Sequence, residues 1–357
     1  MSQPEKVTTQ PHPEPWVSVI ILNYNGAPWL ERCLMSLRAQ TIFDQIEVIV
    51  ADNASPDRSD RLAADLMRDW PNGRVLQHGE NLGFCEGNNR AAAQARGKWL
   101  FFVNNDAWLE SDCLETLVRE TEKGGAQAAC PLVMDYDSQA FQSLGAAGFD
   151  IFGLASTRKF HEETRRVFMP EGCAYLIQAG VFRNLRGFDA EFFMFSDEYD
   201  LSWRLWLTGH RAIAVPSAKM HHRGAAQVNP AGGGRVVEFR TSDTKRYYAN
   251  RNGLLVLLKN AQGPLLALAA LQLLLLAVEG TVGALLLRRW SFFQRAYWTA
   301  WAEVWRLRSH IRAERQQLRR LRTRSDLWML RFLKARLNRW DEITRIRQMG
   351  LPKVTAG

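Results

Sequence analysis

Trp99-Leu-Phe-Phe-Val-Asn-Asn-Asp106 is five apolar residues running straight into two amides and one carboxylate. An unbroken apolar run of that length reads as a strand buried on both faces, the habit of parallel sheets. Its abrupt polar end matters as much, because open α/β sheets bind ligands outside the carboxyl ends of their strands. The preceding sequence repeats the pattern. Val17-Ser-Val-Ile-Ile-Leu22 breaks at Asn23-Tyr-Asn-Gly26, and Ile46-Glu-Val-Ile-Val-Ala51 ends in Asp52-Asn-Ala-Ser-Pro-Asp57. Arg74-Val-Leu-Gln77 is a weaker third strand. Leu30, Cys33, Leu34 and Leu37 recur at helical spacing across 29–39, and further helices are expected over 59–70 and 87–95. Strands alternating with helices predict an α/β, Rossmann-like sheet, mostly parallel and flanked by helices. No GxGxxG follows the first strand, so the ordinary dinucleotide fingerprint is missing.

Downstream, Leu185 to Leu201 puts an acidic cluster behind aromatic residues. A helix is expected over 201–207, stopped at Gly209, and then a strand over 212–216. Ala218, Met220 and His222 alternate with Lys219 and His221, so the two histidines should point opposite ways. Gly232–Gly234 reads as a flexible loop.

The 357 residues are 46% hydrophobic and 23% charged, enough for one catalytic domain and an additional region. Residues 1–15 are polar, contain four prolines and have no apolar core, which predicts a disordered arm and no secretory signal. Five scattered cysteines without a CxxC fit a reducing cytosol. The net charge of +9 is unevenly spread: residues 288–324 carry eleven arginines against Glu303 and Glu314. The segment 264–287 is almost wholly apolar, interrupted mainly by Gln272 and Glu279. It is long enough to cross a bilayer, while its two polar groups leave crossing or lying within the membrane open. Arg288, Arg289 and Trp290 form an interface-like flank, and 291–345 reads as basic, tryptophan-rich helix suited to an anionic membrane surface. The same charge would suit a nucleic acid, against which the leucine-rich segment speaks.

Seven motifs in order carry a resemblance: residues 17–26, Val50-Ala-Asp-Asn-Ala-Ser55, Asn81-Leu-Gly-Phe-Cys-Glu-Gly-Asn-Asn89, Val103-Asn-Asn-Asp106, Gly187-Phe-Asp-Ala-Glu-Phe-Phe193, Asp197-Glu-Tyr-Asp-Leu-Ser-Trp-Arg204 and His222. Together they resemble family 2 glycosyltransferases of the GT-A fold, in a rhamnosyltransferase-like branch. The likeness spans 16–255, leaving 256–357 as an apolar and then basic helical region. It implies inverting transfer of a sugar from a nucleoside diphosphate to an acceptor hydroxyl. That chemistry needs charge neutralised on the leaving diphosphate, commonly by Mg²⁺ or Mn²⁺, and a general base for the hydroxyl.

Carried over residue by residue, the resemblance puts Asp106 on the metal at the end of an Asp-x-Asp motif. Asn104 stands at its first position and supplies an amide where the family has a carboxylate. The metal site should therefore depend on the donor's phosphates. His222, preferred to His221, is expected on the metal or diphosphate. The acidic pair Asp197 and Glu198 reverses the family's usual order; by position the base is Glu198, with Asp197 the alternative. Asp52 matches the residue that bonds the pyrimidine. Asn23, Tyr24 and Asn25 should line the same slot, Asn81 the ribose or diphosphate side, and Arg204 the acceptor or diphosphate. The bland alternatives are a helix cap at Asp106 for residues 109–120, turn residues at the strand ends, and a solvated helix start at the acidic cluster. The expected donor is dTDP-rhamnose or a UDP-sugar and the expected acceptor a lipid-linked or cell-surface glycan, with no nucleic acid, at the cytoplasmic face of the cell membrane. A nucleotide-sugar binder without turnover is the rival reading.

Overall fold

The computed structural model describes residues 14–157, 160–224, 240–287, 290–335, 337–350 and 353–355. Most of the expected N-terminal arm and the Gly232–Gly234 loop lie outside the described residues. Four parallel strands open the fold: β1 (Val17–Asn23), β2 (Ile46–Asp52), β3 (Gly73–Gln77) and β4 (Trp99–Asn104), in the order β3-β2-β1-β4. Helices α1 (Ala27–Arg38), α2 (Ser59–Leu66) and α3 (Gly83–Ala93) connect them. Strand β2 is buried along its whole length, as its apolar run requires. The period of two divides the core. Val17, Val19 and Ile21 pack with Leu30, Leu34 and Leu37 of α1, while Ile20 and Phe102 face the opposite layer.

Beyond β4 the sheet becomes mixed. The next elements are β5 (Ala107–Leu109), α4 (Cys113–Lys123), β6 (Ala128–Asp135), β7 (Phe141–Ser143), β8 (Ala146–Phe149), β9 (Ala155–Thr157), β10 (Arg165–Arg166), β11 (Ala174–Gln178), α5 (Ala179–Asn184), α6 (Asp197–Leu207) and β12 (Ala212–His222). Strand β11 runs antiparallel between β4 and β6, and β12 runs parallel to β6. Thus the parallel half is the one the apolar runs announced, and an antiparallel strand joins it to a second half.

Several expected bounds change: α2 ends at Leu66 instead of 70, and α3 runs over Gly83–Ala93 instead of 87–95. Helix α6 begins at Asp197, so the acidic cluster is helical rather than preceding the helix. The strand expected over 212–216 continues to His222 through a register shift between Val215 and Lys219.

Helix α7 (Asp243–Asn260) runs across the expected division between 255 and 256. A break at 255/256 would cut this single helix, and its Leu254–Leu257 are buried in the main core. After it come α8 (Ala267–Leu287), α9 (Trp290–Phe293), α10 (Thr299–Arg306) and α11 (Arg308–Leu321). The stretch Gly263–Leu286 is long and apolar enough to cross a membrane, and 33% of it is buried against protein. Both of its polar interruptions face protein. Gln272 is buried beside Gly253 of α7, and Glu279 pairs with Arg339. Leu274, Val278, Val282, Leu285 and Leu286 are exposed, as are Trp290, Trp298 and Trp305 further on.

Candidate active site

Strand β4 delivers Asn104 to the sheet edge, and β5 turns back to pair antiparallel with β12, setting His222 opposite Ala107. The backbone amide of Arg223 donates to the Asp106 carbonyl at 3.0 Å, pinning the corner. Consequently Asp106 Oδ1 and His222 Nε2 lie 3.3 Å apart, although 115 residues separate them in sequence. The Asn104 amide nitrogen is also 3.3 Å from that ring nitrogen, and Gln142 Oε1 lies 3.1 Å from His222 Nδ1. Gln142 Oε1 lies where it can accept from Nδ1–H, and Nε2–H faces the Asp106 carboxylate. Burial would push the imidazolium down, but the Cys173 thiol and Asp106 beside it outweigh that and raise its value well above the ordinary one.

Strand alternation separates the histidines. His221 is buried and stacked on Trp108 at 3.7 Å, with Nδ1 on the Asp135 carbonyl at 2.9 Å and Nε2 3.4 Å from Glu110. Asp106 caps no helix: α4 starts at Cys113, after Asp112.

Among the described residues, no group of three or more His, Cys, Asp or Glu side chains is placed to hold a metal ion. The donor set at the corner is one carboxylate, one imidazole and one amide. That set fits a hard divalent cation whose remaining positions are filled by phosphate and water, and does not fit a self-sufficient protein cage.

The second cluster joins the ends of β1, β2 and β4. Asn23, fully buried, donates from Nδ2 to Asp52 at 2.7 Å and accepts from the Asn105 amide at 2.9 Å. A β-carbon at Gly26 would lie 2.1 Å from Asn23 Oδ1, so only glycine allows that approach. Asp52 is buried and also accepts from the Ser55 amide and hydroxyl at 2.9 and 2.6 Å. Tyr24 and Asn25 project outward beside this cluster, with Asn25 left-handed at φ 55°. Asn81 is exposed and accepts from Gly83 N at 3.0 Å and Asn53 Nδ2 at 3.3 Å.

The acidic pair opens α6. Asp197 is buried and Glu198 half-buried. Burial pushes Asp197 up to about 6. Burial, together with the carboxylates of Asp197 and Glu171, raises Glu198 well above its ordinary value. Two carboxyl groups so placed titrate as a unit.

Residues 171–173 connect this pair to the histidine corner. A β-carbon on Gly172 would sit 3.2 Å from the Glu198 carboxyl carbon. The Cys173 carbonyl accepts from Asn104 N at 3.2 Å, and its thiol neighbours His222.

Arg204 requires a correction. It is buried, with Nε 2.8 Å from Asp200 and Nη1 donating to the Leu185 carbonyl at 2.6 Å. Its guanidinium ties α6 to the loop before it instead of facing a donor or acceptor. Asp200, fully buried, also meets Lys259 and Asn260 of α7. Trp203 stacks on Phe149 in the core. Sequence reading passed over Asn105, Gln142, Glu171 and Cys173. Asn105 stood inside the opening motif, while the other three belong to no recognisable pattern and become neighbours only through sheet pairing.

Residues 18–186 match the family described as Glycosyl transferase family 2. The chain is 36% identical over 109 residues to the uncharacterized glycosyltransferase EpsJ of Bacillus subtilis, covering 30% of this chain and 31% of that one. It is 28% identical over 235 residues to the N-acetylglucosaminyl-diphospho-decaprenol L-rhamnosyltransferase of Mycobacterium tuberculosis, covering 57% of this chain and 75% of that one. The match thus spans about a third of the length of the first relative and three quarters of the second. Among solved structures, S. aureus TarS 1–349 in complex with UDP superposes with a TM-score of 0.53 at 17% identity, over 85% of this chain and 89% of that one, a likeness that shows the fold. The alternating α/β half-sheet, its mixed extension and the family match converge: the chain adopts the GT-A fold and carries a glycosyltransferase family 2 domain over residues 18–186.

Proposed function

We propose that this protein transfers a sugar, with inversion, from a pyrimidine nucleoside diphosphate to a hydroxyl of a lipid-linked or cell-surface glycan. dTDP-rhamnose or a UDP-sugar is the donor class. The observation that carries the reading is the meeting of two unlike groups at residues 171–173: the Asp106–His222 corner and the Asp197–Glu198 pair. UDP in the TarS complex supports a nucleoside diphosphate donor, and the rhamnosyltransferase relative supports both the sugar and a lipid-linked acceptor.

A bound Mg²⁺ or Mn²⁺ supplies neutralisation of the charge on the departing diphosphate. Asp106 and His222 are the residues that would hold it, with the Asn104 amide beside them. Asp52, with Asn23 holding its carboxylate in place, marks the base-binding end of the sheet edge, and Tyr24 offers an exposed ring there. The acidic pair takes the proton of the acceptor hydroxyl. Glu198 is its accessible member, while buried Asp197 sets the proton affinity of the unit.

The exposed apolar face of α8, the exposed tryptophans and the surrounding arginines support attachment at the cytoplasmic face of the cell membrane. With Gln272 and Glu279 turned to protein, the face that α8 offers to a membrane is apolar.

The test is donor turnover by Asp197→Asn and Glu198→Gln, each measured separately. Loss of about 100-fold or more in either variant is expected for a general base. Turnover at the wild-type rate in both would remove the base assignment. Donor binding by wild type without release of nucleoside diphosphate would favour a binding protein.

A further inference from the structure

The loop before the acidic pair is held in costly backbone conformations. Phe193, Phe195 and Ser196 have φ of 59°, 66° and 62°, and none is glycine. Met194 N bonds back to the Phe192 carbonyl at 2.6 Å, closing a γ-turn of the strained, positive-φ kind at Phe193. Such a path persists only where the surroundings over-determine it.

The surroundings come from α7. Asn252, fully buried, directs its amide nitrogen at the carbonyls of Phe192, Met194 and Phe195, at 3.0, 2.7 and 2.8 Å. Arg251 donates to the carbonyls of Glu191 and Phe192 at 2.5 and 3.1 Å, and its Nε donates to Asn252 Oδ1 at 2.9 Å. That last bond fixes which end of the amide faces the loop. The remaining carbonyl, of Phe193, is taken by the amides of Phe84 and Cys85 at the start of α3. Further along α7, Lys259 pairs with Asp189 and Asp200, and Asn260 donates to Asp200 at 2.8 Å. Helix α7 therefore grips the chain on both sides of Asp197 and Glu198.

We propose that Arg251 and Asn252 are positioning residues for the acidic pair, holding the left-handed loop so that Asp197 and Glu198 are presented to the acceptor. The proposal rests on the acidic pair being the base. It assigns to α7, outside the matched residues 18–186, a share in building the reaction centre.

The experiment uses the full chain in its membrane or detergent form. Asn252→Asp places acceptors where the carbonyls need donors. Its kcat should fall about 100-fold, as expected for a small misplacement of a reacting group. The donor KM should stay within about threefold, because Asp52, Asp106 and His222 are untouched. Amide exchange of residues 192–198, followed by mass spectrometry, should speed up at least about tenfold while β1 and β2 stay protected. If Asn252→Asp does not fold, Arg251→Lys and Arg251→Met decide. The lysine keeps a donor for the loop and should retain about tenfold more kcat than the methionine. Wild-type kcat in a folded variant, lost kcat without faster exchange at 192–198, or no difference between lysine and methionine would overturn the proposal. Asp197→Asn and Glu198→Gln run alongside. Full turnover in both would sink the base assignment alone, while the exchange data would still report on the brace.

Discussion

Asp197 joins stability and chemistry in one side chain. Its ordinary value of 3.8 rises to about 6 on folding because burial penalises the carboxylate. Between those two values the folded state holds the more protons, so stability falls as pH rises through that window and the full cost is present above it. Asp197→Asn removes the cost. Its melting temperature is expected to exceed wild type by a few degrees at pH 8, and the difference should shrink toward pH 4, as scanning calorimetry would record. An advantage that grew on acidification would reverse the sign. The neighbouring side chains explain how much of the site was legible. His222 was separable from His221 because alternation on a strand fixes side-chain direction. Arg204 was misplaced, because the signal of its i,i+4 pairing with Asp200 was passed over and the Leu185 carbonyl leaves no mark in sequence. Asn252 also escaped notice, since its partners are backbone carbonyls some sixty residues away.

At the level of elements, β1, β2 and β4 were legible because each is an apolar run ended by polar residues, and β3 more weakly through Val75 and Leu76. Helix α1 buries the four residues its spacing marked. Strands β6 and β11 were not legible. Residues 128–135 are buried throughout and contain Pro131, which argues against a central strand, yet the register shift in β12 lies immediately after the pairing of Val215 with Pro131. The antiparallel insertion of β11 rests on five residues with no turn signal of a hairpin beside β4. Packing between elements carries its own prediction. Gly97 sits just before β4, and a β-carbon there would lie 2.5 Å from the Ser18 amide nitrogen, a backbone atom that cannot swing aside. Gly97→Ala should destabilise the protein by about 2 kcal/mol in denaturant titration, the usual scale for overpacking. A change near zero would mean that β1 and the turn into β4 are looser than their contacts imply.

On the scale of the whole molecule, the α/β region and the C-terminal helices are interdependent. Helix α7 packs in the main core and grips the acidic loop, while α8 presents leucines and valines outward beside a basic, tryptophan-bearing surface. Leu274→Glu combined with Val278→Glu changes exposed positions only, so folding should survive. Co-sedimentation with anionic vesicles should then weaken at least about tenfold, the amount expected from losing two apolar insertions. It should also weaken with added salt. Unchanged vesicle binding, or binding of RNA in place of vesicles, would contradict membrane attachment through α8. The most direct test of the proposed chemistry is release of nucleoside diphosphate from dTDP-rhamnose and UDP-sugars. It would be measured with Mg²⁺ or Mn²⁺ and a lipid-linked sugar acceptor, in wild type and Asp106→Asn. The expected result is acceptor-dependent release from at least one pyrimidine donor, reduced about 100-fold or more by Asp106→Asn. Equal release by the two proteins, or no release from any pyrimidine donor, would contradict it.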